Sequence, residues 1–282
     1  MATFTNQATL TYNGVTLRSN IATGEMLEVL EISKTALSET YVPGDELTYT
    51  VSLVNTGNTA LEDITLTDDL GGYTFGTAGT VYPLNLADDT VLYYVNGVLQ
   101  PSPAVVAGPP ATVSGISIPA LGNAVIVYRA VITEYAPLNA QGTVTNTVTA
   151  GTSPETLATA TDTVTAASVA NLDITKSMSP TVVSENDTIT YTFDITNTGN
   201  TAANTTVVLN DTFDPVLTGI TVKLNGTALV ADTDYTYDDT TGEFATVAGV
   251  ITVPAATYSQ DPATGVITTT PGTTTLTVTG TI

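Results

Sequence analysis

One stretch of the chain occurs twice. "DELTYTVSLVNTGNTA" (45–60) returns as "DTITYTFDITNTGNTA" (187–202), which matches Tyr49 with Tyr191 and Asn55 with Asn197 at one spacing of 142 residues. Lys34 in "LEISKTAL" and Lys176 in "LDITKSMS" keep the same spacing. A spacing preserved over the start of each copy means two copies of one folding unit. Inside each copy, apolar and polar residues alternate with period two, the pattern of a half-buried strand. Thr and Val favour strands, Asn-Gly, Thr-Gly and Pro-Gly pairs mark turns, and no segment carries a helical apolar period. The expected class is all-β, and a length of 282 residues suits two domains, each with its own core.

Composition narrows the function. The formal charge is −22 with only five basic residues, so no basic patch for nucleic acid can be assembled. No apolar run approaches the roughly 18 residues of a membrane span. His, Cys and Trp are absent, which removes the commonest general base, disulfides and His- or Cys-based metal sites. No cofactor and no metal is expected. The acid-rich "ADTDYTYDDTTGEF" (231–244) lacks the Gly and Glu spacing of a calcium loop and reads as a hairpin with solvated acids. A carbohydrate-active enzyme would rest on abundant acids alone, since no carboxylate pair stands out.

The second copy is shorter than the first. "LGNAVIVYRAVI" (121–132) aligns with "PGTTTLTVTGTI" (271–282), after which the first copy continues for another 36 residues, through "TVTNTVT" (143–149), to Ser168. A matching hairpin stands at the other end of the chain. "TFTNQATLTYNG", a strand running into an Asn13-Gly14 turn, parallels the 143–168 segment. The expected division is therefore 1–27, an N-terminal donor strand or hairpin with its linker; 28–168, the first domain; and 169–282, a second domain lacking its last strand. About ten linker residues would reach at most roughly 35 Å, which disfavours folding back onto the second domain of the same chain. Insertion into another subunit is easier, and because donor and acceptor surfaces differ it propagates head to tail.

Three polar residue types sit in register with apolar neighbours. Lys34 shares a face with Leu30 and Ile32, and Lys176 with Leu172 and Ile174. Asp68 has the parity of Ile64 and Leu66, with Asp69 as its rival; Asp211 has the parity of Val207 and Leu209. Asn146 lies between Val144 and Val148, and Asn6 shares a face with Phe4, Ala8 and Leu10. A lysine held in a dry core is expensive unless paired or neutral. As a neutral amine it is a nucleophile, and beside a protonated aspartic acid that polarises an Asn carbonyl it can displace ammonia and form an isopeptide bond. An edge lysine reaching outward is the competing interpretation for Lys34 and Lys176.

Lys on the first strand, then "TYTVSLVNTGNTA", an Asp-bearing strand and "TNT" near the end together resemble the DUF11 conserved-repeat domain of bacterial surface proteins. The Lys-Asp-Asn set also resembles the isopeptide-forming domains of Gram-positive pili. The resemblance implies two tandem Ig-like β-sandwich domains on a cell-surface fibre, stalk or adhesin. It implies an intramolecular Lys34–Asn146 crosslink assisted by Asp68. In the second domain Lys176 and Asp211 would take Asn6 from the next subunit, with Phe4, Ala8 and Leu10 filling its groove. The expectation is a self-assembling structural protein, not an enzyme, whose only partner is itself; the alternative is a monomeric adhesin or stalk fragment. The location implied is the bacterial cell surface or a spore surface, with no signal peptide in "MATFTNQATL".

Overall fold

The computed structural model describes residues 2–26, 29–152 and 155–282, and among them every regular element is a β-strand. The alternating stretches form strands because each buries alternate side chains: in Glu46–Asn55 the buried set is Leu47, Tyr49, Val51, Leu53 and Asn55.

The first copy is a sandwich of two sheets around one core. One sheet orders its strands as 98–99, 84–95, 123–132, 46–55 and 30–36. The facing sheet runs 104–106, 111–118, 61–68, 143–152, 155–166 and 40–41. Its core runs from Leu30 to Ala166 and includes Tyr49, Leu53, Ile64, Ile116 and Ile126. The chain class is all-β, as the sequence predicts.

The second copy repeats the first sheet, with strands 172–179, 188–197, 272–281, 218–224 and 227–228. Opposite it stand only three strands, in the order 210–212, 243–246 and 235–237. A separate core of Phe193, Phe213, Phe244, Leu276 and their neighbours fills the space between. Strand 210–212 corresponds to strand 61–68, which in the first copy pairs on both sides, with 111–118 and with 143–152. In the second copy it pairs with 243–246 and its other edge is open.

The shared "NTGN" is a turn, as expected, but not through positive φ. Asn55 and Asn197 are buried; each side-chain amide donates to the carbonyls of its own turn, Thr59 or Thr201, and of the facing loop, Pro119 or Pro254. Glycine is needed there for close approach: a Cβ on Gly199 would lie 2.2 Å from the Val169 carbonyl oxygen. The acids of 231–244 do lie around a hairpin. The Asp238 carboxylate accepts from the Thr240 and Thr241 N–H groups at 2.8 and 3.2 Å, and those bonds hold it below the usual carboxylate range.

At its amino end the chain forms one long hairpin. Ala2–Asn6 pairs with Ala22–Met26, and Thr9–Tyr12 pairs with Val15–Arg18 around Asn13-Gly14, both at positive φ. The outer strand continues to Met26 and the next strand starts at Leu30, while residues 27–28 of the expected linker lie outside the described residues. Cross-strand bonding extended the strand through a segment whose sequence has no strand-like alternation.

Candidate functional site

Three strands of the first copy converge on Lys34. Strand 30–36 carries it inward beside Leu30 and Ala36, and strand 61–68 brings Asp68 across the core. Lys34 Nζ donates to Asp68 Oδ2 at 2.7 Å, with side-chain exposures of 0% and 9%. The Tyr128 hydroxyl donates to the same oxygen, while Asp68 Oδ1 accepts from the Leu70 N–H at 2.9 Å. Asp69, the rival, faces elsewhere and accepts from the Gly71 and Thr147 N–H groups, each at 2.9 Å. Burial pulls the Lys34 amine below its ordinary value, with Asp68 opposing that pull.

Strand 143–152 places Asn146 beside this pair. Val148 is opposite Asp68 across the ladder, so Asn146 lies two residues further along on the same face. Asn146 is fully buried, yet neither polar atom of its side chain has a hydrogen-bond partner; the buried Tyr49 hydroxyl has none either. Each such orphan costs about 1–3 kcal/mol in an ordinary core. Lys34 and Asp68 are thus paired in a buried, aromatic-walled site, with Asn146 on the adjoining strand and Lys34 Nζ 5.0 Å from the Tyr49 ring centroid and 5.9 Å from that of Tyr128. Tyr49 and Tyr128 also line the site, although neither stands out in the sequence as a site residue. Their inward parity beside Leu47 and Ile126 was the available signal, since a buried hydroxyl needs a partner. Asp162, on the strand paired with Asn146, was also missed; it accepts from the Ala36 N–H at 2.9 Å and ties strand 155–166 to the lysine strand.

The second copy holds the same pair in the open. Lys176 Nζ lies 2.5 Å from Asp211 Oδ2, but the side chains are 40% and 17% exposed. Every residue of Leu172–Ser179 is exposed, where Leu30, Lys34 and Ala36 of the matching strand are buried. The expectation of a dry apolar face around Lys176 therefore does not hold within this chain, because nothing here takes the place of strands 143–152 and 155–166. No Asn of the second copy stands in the position of Asn146.

The amino-terminal hairpin repeats the geometry of that covering pair. Asn146 faces Asp162 and Asn6 faces Ala22, so a single shift of 140 residues superposes both strands at once. Each hairpin then slips by one residue on the way to its tip: Gly151 faces Thr156, and Thr9 faces Arg18. Under that shift Phe4, Asn6, Ala8 and Leu10 take the places of Val144, Asn146, Val148 and Ala150. The latter four are buried, whereas Phe4 is 57% and Leu10 65% exposed, and Asn6 and Ala8 are exposed too.

No family model matches the chain, and no curated protein matches it, so the likeness to DUF11 rests on the motifs alone. Solved structures are similar to parts of the chain. The collagen-binding domain of a Staphylococcus aureus adhesin is 16% identical, with 50% of this chain and 99% of that one covered at a TM-score of 0.30. The collagen-binding subdomain of Enterococcus faecalis surface protein ACE is 10% identical over 51% and 99%, at 0.30. The major pilin SpaD of Corynebacterium diphtheriae is 10% identical over 58% and 41%, at 0.35.

Proposed function

We propose that the chain is the structural subunit of a bacterial cell-surface fibre. Subunits join head to tail when the amino-terminal hairpin of one enters the open side of the second domain, 169–282, of the next. The observation that carries this reading is the pairing of one uncovered lysine strand with one uncovered hairpin whose register copies the hairpin that covers the equivalent strand. By the register of the first domain, 28–168, Ala8 would lie opposite Asp211 and Leu10 opposite Leu209. The inserted pair closes the open edge of strand 210–212 with backbone hydrogen bonds. It also covers Leu172 and Ile174, each such side chain being worth about 1.5–3 kcal/mol when fully buried.

The join is then made covalent. Within the first domain Lys34 attacks the Asn146 side chain, with Asp68 carrying the proton; across subunits Lys176 attacks Asn6 with Asp211 in that role. Each bond releases one ammonia, about 17 Da, and the acid is regenerated. Peptide mapping of the assembled protein should find the Lys176 and Asn6 peptides linked. Assemblies that dissolve to single chains in hot detergent would overturn the covalent step. Fibres that persist without residues 2–26 would overturn hairpin exchange, as would a second domain closed by a further segment of a longer chain. A monomeric adhesin, whose hairpin stays free, would show neither crosslink nor fibre.

The first site should also report on pH. Because burial lowers the Lys34 pKa, the amine is deprotonated at lower pH than an ordinary lysine. The condensation rate should rise with pH and level off below the ordinary value of 10.5. Intact mass against time, taken between pH 5 and 10, checks this.

A further inference from the structure

Among the described residues, the buried side-chain polar atoms left without a hydrogen-bond partner gather at one point: the Tyr49 hydroxyl and both polar atoms of Asn146. The other donors around the site are committed. Lys34 Nζ and the Tyr128 hydroxyl both give to Asp68 Oδ2, and the Thr147 N–H gives to Asp69. We infer that the Tyr49 hydroxyl is a catalytic group, donating its proton-bearing edge to Asn146 Oδ1 when that atom becomes an oxyanion. The inference rests on the condensation proposed above and names the group that stabilises its transition state.

Geometry supports the assignment. Tyr49 lies on the central strand 46–55, directly opposite Tyr128 on strand 123–132, and the two rings stack at 5.5 Å and 20°. Lys34 Nζ sits over the Tyr49 ring, so the phenol is pinned between the nucleophile and its neighbour. The Asn146 carboxamide lies beside the hydroxyls of both Tyr49 and Tyr128, and burial raises each well above its ordinary value, so both stay donors throughout the working pH range.

The step balances. The Lys34 amine forms a bond to Asn146 Cγ, and the carbonyl pair moves onto Oδ1, which accepts a hydrogen bond from the Tyr49 O–H without taking its proton. Asp68 takes the surplus proton from the attacking nitrogen and passes it to Nδ2. The carbonyl re-forms, the Cγ–Nδ2 bond breaks, and ammonia departs.

The second domain supports the choice of Tyr49 over Tyr128. Tyr191 stands in the place of Tyr49, with Lys176 Nζ 4.7 Å from its ring centroid. The residue opposite Tyr191 is Val278, so the partner of Tyr128 has no hydroxyl. The hydroxyl retained at both sites is the one proposed to serve the oxyanion.

The test follows full-length chain from a short pulse of cell-free translation, quenched at intervals and weighed intact. Wild type should lose about 17 Da in the fragment bearing Lys34 and Asn146, and Tyr49→Phe should lose it about 100-fold more slowly, as removal of one oxyanion donor does. Should Tyr49→Phe fail to fold, Tyr191→Phe in an acceptor chain lacking residues 2–26 gives the same readout. Its covalent capture by a Lys176→Ala donor, at saturating donor, should slow by a similar factor. Condensation of Tyr49→Phe or capture by Tyr191→Phe at the wild-type rate would overturn the role of the hydroxyl while leaving the condensation standing. A wild-type chain that never loses ammonia overturns the condensation, and this inference with it.

Discussion

Asn6→Ala should abolish every covalent oligomer. Boiled in detergent, the wild-type chain is expected to run as a ladder of subunit multiples, and both Asn6→Ala and Lys176→Ala as single chains. The sharper result comes from mixing them. The Asn6→Ala chain keeps a working acceptor, and the Lys176→Ala chain keeps a working donor. Together they should give one covalent dimer and nothing longer, since neither remaining end can react. Asn6 is exposed, so its substitution cannot act by collapsing a core. A ladder that survives in Asn6→Ala, or a mixture that yields no dimer, would remove Asn6 from the join.

Asn146→Ala separates the covalent reading from an ordinary core by the sign of its effect. If Lys34 and Asn146 are linked, the bond closes a loop of about 110 residues, and its loss costs about 4–5 kcal/mol on the loop-entropy model used for disulfides. For a domain of this size that is a fall of about 15 °C in Tm, accompanied by retention of the full unreacted mass. If no bond forms, Asn146 is a buried amide without partners. Its removal would then be neutral or stabilising. Calorimetry with intact mass decides between the two, and the ion pair of Lys34 with Asp68 remains in either case.

The first copy was largely legible from its residues because a strand's period is two, and inward parity identifies what the core must contain. Lys34, Asp68 and Asn146 announced themselves as polar residues among apolar neighbours, and the structure buries all three and pairs Lys34 with Asp68. Parity also favoured Asp68 over Asp69, and the ladder explains it: Asp69, one residue on, turns outward to hold the Gly71 and Thr147 N–H groups. Asp162 and Tyr128 were not legible in the same way. A threonine-rich strand gives no contrast around Asp162, and an aromatic at an inward position reads as core until its hydroxyl is seen on a carboxylate.

Alternation and repetition by themselves determined the class, the two copies and which polar residues share the inward faces, because these depend on side-chain order along single strands. What the tertiary structure decided is exposure. Leu172, Ile174 and Lys176 carry the same pattern as Leu30, Ile32 and Lys34, and the pattern alone marks both as interior. Only the packed sheets show that the second set faces solvent, since burial requires a second layer and strand 210–212 has an unpaired edge where strand 61–68 has a neighbour. The matched register of the two hairpins is likewise a tertiary fact, because register is set by pairing between strands and not by the order of residues within one.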